Sequence, residues 1–323
     1  MAFPNVSDIV ATTIQNRSGQ IADNVTKNNA ALMKLGKRGN VRPFSGGNVI
    51  FEEMSFAENG NAGYYSGYDL LPVAAQDVLT AAEYQIKQAA VPVTVSGLEM
   101  LQNAGKEKVI DLMDGRMGVA ESSIENLLAG GVYADGTGFG GKEVTGLNAA
   151  VPVVPSTGTY GGIDRATWTF WRNQSVNLGG ATVTAANIQS YMNGLWARLV
   201  RGRDHPDLIL ADANFWNLYI ASLQAQQRFT QADIGDLGFP TVKYMGVDFV
   251  LDGGIGGFCP ANTLFMLNTK YIFWRPHSDR NMVPLSPNKR YAINQDAEVQ
   301  IIGWAGNLTT SGAQFQGRLD DNA

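Results

Sequence analysis

Between Lys106 and Ala129, apolar side chains recur at Val109, Met113, Met117, Ala120, Ile124 and Leu127. Steps of three and four put one apolar stripe on a helix, and Gly130-Gly131 marks its expected stop. Upstream, Ser96-Gly97-Leu98-Glu99 has the spacing of a capping box, which ties a helix start to its own first turn. Gly115 and Gly118 interrupt the long helix. Each costs about 1 kcal/mol relative to alanine in a helix interior, so the pair needs a reason. Close packing is one and a place to bend is the other.

Elsewhere the pattern has strand character. Val49 to Phe56 is rich in strand formers, and Glu58-Asn59-Gly60-Asn61-Ala62-Gly63 is turn chemistry. Tyr64, Tyr65 and Tyr68 then lead an expected returning strand to Leu71 and Val73, giving a long hairpin over 47–80. A two-stranded hairpin alone is marginal in water, so it packs on its own body or lies across another subunit. Residues 83–96 read as strand again. Tyr84 and Ile86 share one parity, Val91, Val93 and Val95 the other, which implies a bulge or bend near Gln88–Ala90. Pro92 argues for an edge or bulged position. Further on, Thr184–Leu199 is an expected helix with Ile188, Met192, Leu195 and Leu199 on one face. Leu208-Ile209-Leu210 is a short buried strand before a helix around Asn214–Leu223. Strands are expected at 247–251, 263–267 and 271–274, and β character returns over 291–309. Helices and strands are interspersed, so the class is mixed α+β.

The first 46 residues differ from the rest. Ser7 is placed to cap a weak helix through about Gln15, and glycines and asparagines follow. Arg17, Lys27, Lys34, Lys37, Arg38 and Arg42 stand here against only Asp8 and Asp23, while the whole chain carries -5. A basic arm on an acidic body points to docking on an acidic surface, and Lys34, Lys37, Arg38 and Arg42 are candidate intersubunit contacts together with Tyr64, Tyr65 and Tyr68. Only 16% of the 323 residues are charged, against about 25% in typical globular chains. Such a chain fits one that hides much of its surface against neighbours. The negative balance gives no indication of bulk nucleic-acid binding. One cysteine, Cys259, excludes an internal disulfide and points to synthesis in a reducing compartment. The sequence shows no secretory signal, and no run reaches the roughly 18 apolar residues of a membrane span.

Candidate chemistry is sparse. Gly136-Thr137-Gly138-Phe139-Gly140-Gly141-Lys142 matches two phosphate-loop patterns. It follows a helix and precedes a strand-like segment, the reverse of the required order, and Glu143 replaces the hydroxyl residue. A tight turn is the expectation. His205 and His277 lack a second histidine at ligand spacing, so His205 with Asp204 and Asp207 reads as a loop ion-pair cluster. Cys259 reads as a small buried residue, and Trp168 and Trp171 as core or interface. No catalytic, cofactor-binding or metal-binding residue is assigned.

The order of segments carries a resemblance. A basic arm, a long hairpin and a strand running into Val93-Thr94-Val95-Ser96-Gly97-Leu98-Glu99-Met100-Leu101-Gln102-Asn103 resemble tailed-bacteriophage major capsid proteins. So do the glycine turn with Gly146-Leu147, the segments Asp164–Asn173 and Gly303–Thr309, and the late strand Ala297–Ile302. The resemblance implies an N-terminal arm over 1–46 and an extended loop over 47–80. It implies a peripheral domain over 81–149 plus 286–323, with a spine helix at about 106–129, and an axial domain over 150–285. It implies a non-enzymatic subunit that tiles into hexamers and pentamers around double-stranded DNA held by non-specific proximity. The implied partners are further copies, a portal, a separate scaffolding protein and decoration proteins. The implied place is the virion, after synthesis in the host bacterial cytoplasm. An encapsulin-like compartment shell is the alternative within this architecture, and a nucleotide-binding enzyme using Gly136–Lys142 the alternative outside it.

Overall fold

The computed structural model describes residues 29–102, 106–178, 181–224, 241–253, 257–285, 290–291 and 296–321. For 100–102, 106–115, 224, 241 and 290–291 only the backbone is described. The Ser7–Gln15 helix and the cations Arg17 and Lys27 lie outside the described residues.

The described chain begins with α1 (Ala30–Arg38), capped by the Asn29 side chain, which accepts from the amides of Ala31 and Leu32, and closed by Gly39 in the left-handed region. Ala30, Ala31, Leu32 and Leu35 are buried in the main core, so this part of the expected arm is folded onto its own body. The hairpin strands are β1 (Val49–Ser55) and β2 (Leu79–Gln85), paired antiparallel with Ser55 opposite Leu79. The expected returning strand at Tyr64–Val73 is absent; that stretch is irregular, and the chain re-enters the ladder only at Leu79. Pro72 and Gly67 interrupt the stretch, and no neighbouring strand within the chain holds it extended.

β3 (Lys87–Ser96) follows immediately. The parity change falls at Ile86–Lys87 rather than at Gln88–Ala90, because β2 and β3 are separate strands in separate sheets. β3 pairs in unbroken register with the late strand β13 (Ala297–Thr310), and Pro92 sits on that edge strand. Next come α2 (Gly97–Gln102), α3 (Lys106–Tyr133), the single turn α4 (Leu147–Ala150) and the small β4–β5 ladder (Thr159–Tyr160, Ile163–Asp164). The buried face of α3 runs through Met117, Ala120, Ile124, Leu128 and Val132. Leu127, assigned to that stripe from spacing, is 38% exposed. The helix drifts from an exact three-four alternation, and Leu128 takes the inward position. Val109 and Met113 lie outside the described side chains.

Gly130-Gly131 does not stop α3. A Cβ on Gly131 would meet Val144, and a Cβ on Gly146 would lie 2.3 Å from the Gly131 carbonyl oxygen and 2.4 Å from that of Val132. The glycines let the following loop lie directly on the last helical turn. Gly146 has a negative φ, so space and not backbone conformation requires glycine there.

The remaining elements build a six-stranded sheet. In chain order they are β6 (Gln174–Asn177), α5 (Ile188–Leu199), β7 (Leu208–Ala211), α6 (Ala213–Gln224), β8 (Thr241–Tyr244), β9 (Val247–Leu251) and β10 (Thr263–Leu267). The sheet order is β6-β14-β10-β7-β9-β8, with β14 spanning Gly317–Asp320. Successive residues of β7 face opposite cores. Leu208 and Leu210 join the cluster around α1, α3 and the four-stranded sheet, while Ile209 and Ala211 pack with Ile188, Met192, Leu195 and Phe215 of α5 and α6. Burial on both faces explains the unbroken apolar runs Leu208–Ala211 and Leu264–Leu267.

The four-stranded sheet contains β3, β11 (Ile272–Pro284), β12 (Arg290–Tyr291) and β13 (Ala297–Thr310). Residues 272–284 thus share a sheet with β3 and β13, and Gly317–Asp320 crosses back into the six-stranded one. Sequence pattern identifies strands but not the sheet each joins. The far edge of β11 is covered by residues 40–44, whose backbone bonds run from Arg42 to Trp274 and from Phe44 to Pro276.

Candidate assembly surface

The loop joining β1 to β2 is the most exposed apolar feature of the described chain. Tyr64 and Tyr68 exceed full exposure at 109% and 106%, Leu70 stands at 98%, and Tyr65, Leu71, Val73 and Leu79 are also exposed. So many large apolar side chains exposed in one loop are unusual on a lone soluble subunit. Its internal order comes from turns: Ala62 closes on Asn59, Asp69 on Ser66, and the Asn61 side chain donates to the Ala74 carbonyl.

The hairpin base is fastened firmly. Ile50, Glu52, Ala82 and Tyr84 share its buried face. The Glu52 carboxylate accepts from Thr309 Oγ1 at 2.8 Å and lies 3.1 Å from Arg275 Nε, close enough for an ion pair but out of line for a hydrogen bond. Tyr84 donates to the Thr310 carbonyl at 2.7 Å, and burial pushes its phenol well above the ordinary tyrosine range. Asn307 donates to the Gln85 carbonyl and accepts from both the amide and the hydroxyl of Thr145. A rigid root thus carries an apolar, unaccompanied tip. None of these anchors carries a sequence signature; the hint was polar residues inside apolar runs, such as Glu52 after Ile50-Phe51.

The cations of the arm find partners in the same chain. Lys34 lies 3.6 Å from Asp248, Arg38 pairs with Asp207 and Thr269, and the Arg42 guanidinium stacks 4.3 Å above the Phe273 ring. Lys37 is exposed in the last turn of α1. Two of these cations, Lys34 and Arg38, thus meet carboxylates of their own chain.

Gly118 also has a clear environment: an added Cβ would meet no atom within 4 Å. Close packing inside the subunit does not require glycine there. Gly118→Ala is expected to raise subunit stability by about 1 kcal/mol in urea titration, the helix-propensity difference alone; a loss of stability would contradict the open space. The surroundings of Gly115 lie outside the described side chains.

The capping box forms in both directions. The Ser96 amide donates to Glu99 at 3.1 Å and the Glu99 amide to Ser96 Oγ at 3.3 Å. Arg116 of α3 bridges Glu99 and the Thr94 carbonyl at the edge of β3, joining α2, α3 and the sheet. The Arg116 guanidinium and the Ser96 contacts hold the Glu99 carboxyl down at about 2. A lowered carboxylate contributes above its unfolded value and loses that contribution as pH falls through the folded one. Wild type and Glu99→Gln should therefore differ slightly in urea midpoint at pH 7, and the gap should close between about 4.5 and about 2. The effect is small because the pair is solvent-screened; a gap that widens on acidification would refute the linkage.

The other candidates resolve into structure. Glu143 Oε2 accepts from the Gly138 amide at 3.1 Å, so the glycine loop holds its own carboxylate where a phosphate would sit. Phe139, Gly140 and Gly141 all have positive φ in one tight turn. Asp204 binds Asn268 and Tyr271 with Arg201 and Lys270 nearby, a loop ion-pair cluster, while the His205 ring lies tilted against Trp196 and its Nδ1 lies 2.7 Å from the Pro206 carbonyl oxygen. Among the described residues no group of three His, Cys, Asp or Glu side chains is placed to hold a metal. Cys259 lies 3.7 Å from the Thr263 carbonyl, and burial raises its thiol. Trp171 is fully buried and donates to the Tyr160 carbonyl, whereas Trp168 is 45% exposed and lies edge-on to Phe56 and Phe170. Among the described residues no helix is long and apolar enough to cross a membrane.

No protein-family model matches the chain, and no curated protein sequence matches it. Solved structures do. The capsid asymmetric unit of cyanophage A-1(L) is similar at a TM-score of 0.65 and 18% identity, over 87% of this chain and 90% of that one. The capsid of the native GTA particle gives 0.62 at 12% identity, over 88% and 89%. The SrpI encapsulin of Synechococcus elongatus PCC 7942 gives 0.52 at 10% identity, over 88% and 86%. The chain therefore has the mixed α/β fold shared by tailed-phage capsid proteins and an encapsulin.

Proposed function

We propose that this chain is a structural subunit that self-assembles into the icosahedral capsid of a tailed bacteriophage. The observation that carries the reading is the exposed apolar loop on its rigid root. In a lone subunit Tyr64, Tyr65, Tyr68, Leu70 and Val73 gain nothing from folding, and burial against a neighbour would remove them from water. Agreement with capsid subunits over nearly the whole of both chains supports the same reading. In this reading the loop is the extended loop, the four-stranded sheet with α3 is the peripheral domain with its spine helix, and the six-stranded sheet with α5 and α6 is the axial domain. Gly115 and Gly118 give the spine helix a point of low bending cost. Copies tile as hexamers and pentamers, with a portal, a separate scaffold and decoration proteins as partners and double-stranded DNA inside. The protein is made in the host cytoplasm and resides in the virion.

A compartment shell would share the architecture; the phage reading is favoured by capsid matches at 0.65 and 0.62 against 0.52 for the encapsulin. The glycine loop gives an enzyme reading no support, since its amide is taken by Glu143. Electron microscopy of the protein expressed with its gene neighbours tests the proposal. Closed particles are expected. A stable monomer or small discrete oligomer, with the scaffold gene present, would overturn it.

A further inference from the structure

The hairpin root has an unpaired edge. The amide of Phe56 donates to the Val78 carbonyl, which sets the alternation along the ladder: 78, 80, 82 and 84 direct their backbone groups at β1. Leu79, Ala81, Glu83 and Gln85 therefore point the other way. Two of these outward groups are used, the Glu83 amide by the Gly161 carbonyl and the Gln85 carbonyl by Asn307. Those of Leu79 and Ala81 face a groove of about 480 Å³ between β2 and residues 161–164. Phe56, Trp168 and Phe170 form an aromatic cluster in its wall, with ring centroids 5.6 to 5.9 Å apart. Asp164 in the same wall is occupied by its own turn, accepting from Ala166 and Thr167. An open strand edge beside an aromatic wall accepts an added strand: backbone bonds provide affinity, and apolar side chains fill the wall.

The chain also carries a segment of matching chemistry. Over Leu70–Ala74 the side chains of Leu70, Leu71 and Val73 are exposed. Pro72 favours extended backbone at itself and at Leu71. In an extended segment Leu70, Pro72 and Ala74 share one edge and Leu71 and Val73 the other. The first edge cannot join a ladder fully: Pro72 has no N–H, and the Ala74 carbonyl is taken by Asn61. The second edge is free, since the backbones of Leu71 and Val73 bond no described residue. A strand able to pair on one side only is an edge strand.

We infer that Leu70–Ala74 of one copy adds as an edge strand to Leu79–Ala81 of a second copy, with its apolar side chains against Phe56, Trp168 and Phe170. The inference rests on the shell reading above and gives its loop a docking place. In a shell built of rings the contact is heterologous: each copy offers its segment to one neighbour and its open edge to another.

Disulfide trapping tests it in assembled particles in a Cys259→Ala background, since Cys259 is only partly buried. Val73→Cys and Ala81→Cys are made as separate variants, co-expressed and oxidised after assembly. Mixed particles are expected to give a covalent dimer band, and particles of either variant alone are not. The double variant is expected to give a ladder of multimers. Particles that form but yield no mixed dimer would overturn the inference and leave the shell reading standing. A double variant that yields only an internally crosslinked monomer would show the segment folding back on its own root, with the same consequence. If the wild type forms no particles, the shell reading fails and the inference with it.

Discussion

Replacing residues 57–77 by Asn-Gly is expected to leave a folded subunit that no longer builds particles. Phe56 and Val78 are a bonded pair of the β1–β2 ladder, so a two-residue turn can close the hairpin directly. The deleted stretch supplies no side chain to either core cluster, whereas Ile50, Ala82 and Tyr84 of the retained root are core residues. Circular dichroism and the thermal midpoint of the isolated subunit should therefore stay near wild type. Particle yield should fall about tenfold or more, since each lost contact worth about 1.4 kcal/mol weakens association by that factor. An unchanged yield would mean that the exposed tyrosines and leucines contribute nothing between subunits. A fall in both yield and subunit stability would instead place the loop within its own fold.

Glu52→Ala should produce the largest loss of subunit stability, about 3 kcal/mol, because it leaves the Arg275 guanidinium largely buried without its carboxylate. The side chains are 19% and 9% exposed for Arg275 and Glu52, so water compensates little. Thr309 loses its shorter acceptor at the same time and keeps only the Phe273 carbonyl at 3.5 Å. The double variant Glu52→Met with Arg275→Met removes both charges and keeps the volume, and it should recover most of the loss. Urea titration of the three variants checks the ordering. A single variant within about 0.5 kcal/mol of wild type, the range of ordinary surface changes, would show that the root is held by Tyr84 and Asn307 instead.

Local chemistry was legible in the sequence wherever one element decides its own form. The capping box at Ser96–Glu99, the helix face Ile188–Met192–Leu195–Leu199 and the strand Leu208–Leu210 all follow from spacing. The hairpin was legible in its first strand but not its second, because Tyr64–Val73 has strand composition and no partner in its chain. Basic residues at Lys34, Arg38 and Arg42 identified an attraction to acid but not its address, which is Asp248 and Asp207 of the same chain for two of them. The anchors Glu52, Asn307 and Thr309 are contacts between strands distant in sequence, and no local pattern reports these. The groove at Leu79–Ala81 depends on which way alternate amides point, which is set by register.

The position of β14 bears on the order of events during synthesis. It lies between β6 and β10, parallel to the first and antiparallel to the second. A ribosome-bound chain that has already made β6, β7, β9 and β10 still has a gap in the sheet, and Gln174–Asn177 has no ladder to join until Gly317–Asp320 emerges. Arg318, which binds Asp320, Asn148 and the Val151 carbonyl, arrives in the same step and ties α4 to the sheet. Pairings this distant in sequence form late and cooperatively. An unfinished chain thus carries a complete hairpin on a body that is not yet closed, which in a shell subunit of the kind proposed above would keep translation and shell growth apart in time.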